Sequence, residues 1–266
     1  MEITLTQGIL LAVLGLITGL DFWLQAFYIF RPVIVCTLAG LILGDMQLGV
    51  IAGGLTELAF AGLTPAGGTQ PPNPVLCGIM TVVIAHTTGT SPAGAIGMSL
   101  PFAFLMQYIL LFYYSSFSLF MPSLDKAAKE ANTKKFVRIQ YTPLIIVSLS
   151  YVVIVFLSAY AAQAPMKVLV NSLPEWLSHG FGIAGGILPA VGFAMLLKVM
   201  LKGSLVPYLI IGFVIASLIP YSNVLPAAAI GAALAMIEFF RDKHTQNLEK
   251  RLEEAGTASG GEEDGI

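Results

Sequence analysis

The chain has 266 residues, 56% of them hydrophobic and 11% charged, with a formal net charge of −2 and a mean hydropathy of +0.84. Soluble domains carry roughly a quarter of their residues as charges, so this composition excludes a soluble domain and describes an all-α polytopic membrane protein. The charges cluster in a connector and a tail while long stretches hold almost none, a distribution that speaks for no nucleic-acid partner.

Taken in order, apolar stretches run from Ile3 to Leu20, Val33 to Leu43, Leu48 to Leu63, Val75 to Ala85, Ala95 to Phe120, Pro143 to Ala162, Phe181 to Leu197, Leu205 to Ile219 and Val224 to Phe240. The first begins after Glu2 with no Lys or Arg, a poor signal-peptide start, and is expected to stay in the protein. A helical crossing needs ~20 residues. Several stretches before residue 121 are too short or too rich in Gly for that, which predicts broken helices and re-entrant hairpins there. The basic segment from Asp125 to Arg138 (Lys126, Lys129, Lys134, Lys135, Arg138) and the segment after Phe240 (Arg241, Lys243, Lys250, Arg251) are both expected in the cytoplasm, separated by four crossings. Lys198 and Lys202 fall in a loop assigned inside and the uncharged Pro220 to Asn223 in one assigned outside, with Lys167 a minor exception. The side of the N-terminus stays open.

Val50-Ile51-Ala52-Gly53-Gly54-Leu55 in the first half is echoed by Gly182-Ile183-Ala184-Gly185-Gly186-Ile187 in the second. Transporters often consist of two related repeats whose broken helices meet at a midplane site. The expected organisation is therefore an N-terminal membrane repeat over 1–121 carrying the polar site, a basic connector over 122–140, a C-terminal membrane repeat over 141–240 and a charged tail over 241–266. The tail is expected to be a short helix that frays into a Gly/Ser/acidic end.

The polar residues inside apolar sequence carry the functional reading. Glu57 lies in Leu55-Thr56-Glu57-Leu58, and the Gly- and Pro-broken stretch after it leads to Gln70-Pro71-Pro72-Asn73-Pro74. An unpaired charge at membrane depth costs from ~3 to over 10 kcal/mol, so such residues face a cavity or a partner. Irregular backbone survives there only where protein buries it or a cavity accepts it. A carboxylate and two carboxamides suit a polyol, which donates and accepts hydrogen bonds at every hydroxyl. The competing readings are a Glu57 protonated or paired internally to hold two helices, and a surface loop bearing Gln70 and Asn73. Asp21, Trp23, Gln25 and Arg31 form a second group: in a helix Asp21 and Gln25 would share a face, with Trp23 offset and able to stack on a sugar ring. Trp23, Tyr28 and Arg31 equally fit a membrane interface. Asp45 is expected to cap a helix or mark a membrane boundary. Cys36 and Cys77 read as buried, inert thiols, and His86, His179 and His244 lack any second ligand at metal spacing, so no metal or cofactor is expected. Intramembrane proteolysis is disfavoured because Leu41-Ile42-Leu43-Gly44-Asp45 lacks a second glycine before the aspartate.

Arg31-Pro32-Val33-Ile34-Val35-Cys36-Thr37-Leu38-Ala39-Gly40-Leu41-Ile42-Leu43-Gly44-Asp45, then Gly53-Gly54-Leu55-Thr56-Glu57-Leu58, then Gln70-Pro71-Pro72-Asn73, resemble the IIC component of mannose-family sugar phosphotransferase systems. Ile183-Ala184-Gly185-Gly186-Ile187-Leu188-Pro189 and the terminal Gly265-Ile266 extend the resemblance over nearly the whole chain. The Gln-Pro-Pro-Asn version is similar to that of N-acetylgalactosamine and galactosamine members. The resemblance implies group translocation: a IIC subunit, with a IID membrane subunit in a trimeric assembly, carries sugar to the inner face of the bacterial cytoplasmic membrane, where phosphorylated IIB transfers phosphate to the 6-hydroxyl. Phosphoryl chemistry then lies outside this chain, which is a transport subunit and no enzyme itself. It also implies a substrate site at Glu57, with Gln70 and Asn73 in the polar loop that follows. An ion-coupled secondary transporter using Glu57 as proton carrier, and a structural subunit whose partner holds the site, are the alternatives.

Overall fold

The computed structural model describes residues 2–63, 70–218 and 225–259. Thr64 to Thr69, the predicted outside loop Pro220 to Asn223, and the acidic end with Gly265-Ile266 lie outside the described residues. The described chain is helical throughout, without strands: α1 (Leu5–Leu24), α2 (Pro32–Leu43), α3 (Met46–Phe60), α4 (Pro74–Thr88), α5 (Pro92–Ser116), α6 (Met121–Lys129), α7 (Thr133–Phe156), α8 (Gln163–Ser172), α9 (Glu175–Met200), α10 (Val206–Leu218) and α11 (Leu225–Ser259). Among the described residues four helical runs are long and apolar enough to cross a membrane, Leu5–Leu24, Pro92–Lys129, Thr133–Ala161 and Glu175–Met200. By contrast α2, α3 and α4 have 12, 15 and 15 residues. At 1.5 Å per residue they reach roughly 18–23 Å, short of the ~30 Å hydrocarbon core.

Local chemistry sets the helix ends. Thr4 and Gln7 form a capping box at α1. Pro32, Pro74 and Pro92 open α2, α4 and α5, where a missing N–H costs nothing. Asp45 accepts from the Leu48 N–H at 3.0 Å and caps α3, the first of the two roles expected of it. The turn before it depends on Gly44, whose φ of +81° ends α2 in the left-handed region. Past that turn α2 and α3 meet backbone to backbone: a Cβ on Gly40 would lie 2.6 Å from the Gly49 Cα.

The same close approach joins α1 to α7. Gly8 and Gly15 each face a side chain of the partner run, Tyr160 and Val155, at 2.7 Å from where a Cβ would stand, and Gly19 takes the ring of Tyr151. Small residues that let helices approach closely are the usual device where lipid supplies no hydrophobic drive. In the middle lies α4, buried along almost its whole length from Pro74 to Ala85 and therefore apolar on every face. Gln163 at the start of α8 clamps the chain's beginning, accepting from the Ile3 N–H at 2.8 Å and donating to the Ile3 carbonyl at 3.1 Å.

Three of the long helices contain an internal proline and stay continuous through it. Pro101, Pro143 and Pro189 lie inside α5, α7 and α9, and α7 passes into a π-turn over Leu157–Ala161. Both Ile-Ala-Gly-Gly runs sit where a glycine abuts foreign backbone: Gly53 against Val33, Gly185 against the Ala93 carbonyl. Met1–Val199 forms one compact unit and Met200–Ile266 a second. Helices α7 and α9 thus belong to the same body as α1–α5. In the second unit α10 and α11 are tied by Tyr208, which donates to Glu238 at 2.8 Å, and α11 continues unbroken from the last apolar segment into the charged tail.

Candidate functional site: a cavity between the α1–α2 turn and the Pro71–Pro74 segment

Helix α1 ends at Leu24 because Gln25 turns left-handed, with φ of +50°. Asp21 and Gln25 therefore do not share a helical face. Instead the Asp21 carboxylate, 5% exposed, accepts from the Phe27 N–H at 2.7 Å and the Phe30 N–H at 3.3 Å. It organises the turn that leads into Arg31 and α2. Buried N–H groups of an irregular turn need such an acceptor.

Arg31 reaches from the start of α2 to Glu57 on α3. Its Nε donates to Glu57 Oε1 at 2.6 Å, its Nη2 contacts the same oxygen, and Glu57 Oε2 accepts from the Val33 N–H at 3.2 Å. The carboxylate thus also faces the N-terminal end of α2, where a helix favours negative charge. With side-chain exposures of 35% for Arg31 and 22% for Glu57, the pair is only partly withdrawn from its surroundings. The structure thus holds Glu57 internally paired, and its partner is Arg31, for which both a polar group with Asp21 and Gln25 and a membrane interface are open from sequence.

Beside the pair is a cavity of about 210 Å³, lined by Phe22, Gln25, Tyr28, Phe30, Arg31 and Pro32 on one side and Phe60, Leu63, Pro71 and Pro74 on the other. Aromatic rings with one carboxamide and one guanidinium can hold an amphipathic ring such as a sugar, apolar faces against the rings and hydroxyls toward the polar tips. Trp23 is not among the lining residues. The adjacent position, Phe22, points inward, while Trp23 turns toward α5 and stacks on Tyr114 at 5.1 Å and 17°, with Phe117 edge-on.

Gln70 to Asn73 runs along α5. The Asn73 N–H donates to the Ala103 carbonyl at 3.1 Å, and one turn further the Gln107 side-chain amide donates to the Gln70 carbonyl. Asn73 is fully buried; its Oδ1 accepts from the Leu76 N–H at 2.9 Å, capping α4, and its Nδ2 donates to the Tyr151 hydroxyl at 2.6 Å. Tyr151 and Gln107 escaped the sequence reading. A lone Gln in the apolar helix α5 was the available signal. Cys36 and Cys77 are free and buried, as read from their surroundings.

A family model described as "PTS system sorbose-specific IIC component" matches residues 5–237. The chain belongs to that family. It is 58% identical to the N-acetylgalactosamine permease IIC component 1 of Escherichia coli K12 over 248 residues, 93% of each chain. It is 29% identical to the mannose-specific EIIC component of the same strain over 89% of each, and 30% identical to the sorbose-specific EIIC component of Klebsiella pneumoniae over 89% of each. Among solved structures, a chain described as "Structure of membrane protein" superposes with a TM-score of 0.77 at 30% identity, covering 90% of this chain and 96% of that one. A chain of the cryoEM complex of the mannose transporter ManYZ with microcin E492 gives 0.58 at 29% identity, with the same coverage. This IIC component is an integral membrane transport subunit that works with other phosphotransferase-system subunits, and its family supports group translocation over the ion-coupled alternative.

Proposed function

We propose that the chain is the sugar-binding and translocating subunit of a phosphotransferase system for N-acetylgalactosamine or galactosamine. The observation that carries this reading is its 58% identity, over 93% of both chains, to a permease component named for N-acetylgalactosamine. The aromatic cavity with Gln25 and Arg31 on its wall supports a pyranose ligand. Gln25 and Gln70 supply contacts to the sugar and Glu57 does so on leaving Arg31, while Asp21, Asn73 and Trp23 hold the walls in place. A cavity of about 210 Å³ lies below the ~300–1,000 Å³ usual for ligand pockets. The remaining wall is assigned to a IID subunit in a trimeric assembly, as the two-subunit name of the ManYZ complex encourages. Phosphate reaches the sugar from phosphorylated IIB, and no residue of this chain carries it. The two-repeat organisation over 1–121 and 141–240, joined by the 122–140 connector, belongs to the same proposal.

Co-expression with IID, IIB and IIA in a host without amino-sugar carriers tests it. Uptake of labelled N-acetylgalactosamine should be competed by unlabelled sugars of the galactose series and not by glucose or mannose. Competition by the gluco or manno series would overturn the specificity, and uptake independent of IIB would overturn the mechanism.

A further inference from the structure

We infer that Gln107 on α5 is a substrate-binding residue, forming with Gln70 a donor–acceptor pair that takes a single sugar hydroxyl. The inference rests on the sugar-carrier reading above and adds to it a residue and a chemical role.

Gln107 spends its amide on the Gln70 main-chain carbonyl. Gln107 Oε1 and Gln70 Nε2 are both buried, and among the described residues both lack a hydrogen-bond partner. Buried polar side-chain atoms are paired in the large majority of native cases, and each exception asks for a reason. One is a free acceptor and the other a free donor, on two side chains joined through one hydrogen bond. A hydroxyl accepts with its lone pairs and donates its proton, so one sugar hydroxyl has the chemistry that this pair of atoms calls for. An ammonium can only donate and would leave Gln70 Nε2 unpaired. The N–H and C=O of an acetamido group point in opposite directions, so it would engage the two atoms less well. The group read here is therefore a ring hydroxyl rather than the 2-substituent.

The backbone supports the role. The Asn73 N–H on the Ala103 carbonyl and the Gln107 amide on Gln70 are one helical turn apart on the same face of α5, so the segment that carries Gln70 is held against this helix at both ends. Pro71, the next residue, lines the cavity. Neither unpaired atom reaches solvent in this conformation.

Membranes holding the chain with its IID partner are used for binding of labelled N-acetylgalactosamine, competed by a panel of its monodeoxy analogues. In the wild type, one analogue should bind about 10-fold or more weakly, since it forfeits two hydrogen bonds and leaves two buried groups bare. Gln107→Met, which keeps length and flexibility without polarity, should shrink that penalty to about 2-fold or less and leave the penalties of the other analogues unchanged. Gln70→Met should flatten the same analogue's penalty, and it decides the matter if the first variant fails to assemble. A residue that only supports the fold would weaken all analogues alike. An unchanged profile, or a uniform loss, in both variants overturns the inference while the sugar-carrier reading stands. If the wild type binds no sugar of the galactose series, both fall together.

Discussion

Replacing Arg31 or Glu57 by Gln should expose the ion pair as a coupled unit. The pair joins the start of α2 to α3 through two guanidinium contacts, and the carboxylate also accepts from Val33. Exposed pairs contribute ~0–1 kcal/mol, while breaking a buried pair costs ~3–5 kcal/mol by stranding a charge. At 35% and 22% exposure the pair sits between these limits, so each single substitution should cost about 1–3 kcal/mol. The double Arg31→Gln, Glu57→Gln variant strands no charge, and two carboxamides can still bond each other. Its loss should fall short of the sum of the singles by about 1–3 kcal/mol, roughly a 5- to 150-fold coupling. Denaturant unfolding of the detergent-solubilised protein gives the cycle directly. Strict additivity within ~0.3 kcal/mol would refute the pairing. Transport then separates structure from ligand contact: a double variant that folds but takes up no sugar assigns Glu57 or Arg31 to the substrate, whereas one that transports normally confines the pair to holding α2 and α3.

Asn73→Ala removes the α4 cap and strands the buried Tyr151 hydroxyl, and should cost about 2–4 kcal/mol. Tyr151→Phe keeps the cap and should cost less in the same unfolding assay. Gly185→Ala drives a methyl into the Ala93 carbonyl and should destabilise by ~1–3 kcal/mol. Its neighbour Gly186 has no described atom within 4 Å of a Cβ, so Gly186→Ala should be neutral or gain ~0.5–1 kcal/mol; equal effects would argue against the packing described for α9. Lys134→Cys in the connector and Lys243→Cys in the tail should resist an impermeant maleimide added to intact cells and react once the cells are opened. Labelling from outside at either position would reverse the topology.

Apolar runs made the helices legible from sequence, since each apolar stretch falls in a helix over its described residues, and Asp45 caps α3, one of the two roles expected of it. Helix end chemistry is local, so a single sequence displays it. Pairings across the fold are not local. Glu57 and Arg31 are 26 positions apart, Asn73 and Tyr151 are 78 apart, and Gln70 and Gln107 are 37 apart. Arg31, Glu57, Gln70 and Asn73 are conspicuous as polar groups in apolar surroundings, yet nothing in their own neighbourhoods names Tyr151 or Gln107 as a partner. The shared face of Asp21 and Gln25 and the inward-facing Trp23 fail for a smaller reason. One left-handed residue at the end of α1 breaks the helical face on which Asp21 and Gln25 were placed together, and a step of one position decides that Phe22, not Trp23, meets the cavity. The tail differs again: its charged sequence favours helix, and α11 shows that it extends the preceding apolar helix rather than starting a new one.

The central claim is that this subunit binds and carries a sugar that receives phosphate from elsewhere. Inverted membrane vesicles containing the chain with IID, given IIA, IIB and the general phosphotransferase proteins with ³²P-labelled phosphoenolpyruvate, measure this directly on loading with N-acetylgalactosamine or galactosamine. The account predicts label in the 6-phosphate of the sugar and none on this chain at any point of turnover. Stable label on His86, His179 or His244, or release of unphosphorylated sugar driven by a proton gradient alone, would contradict it.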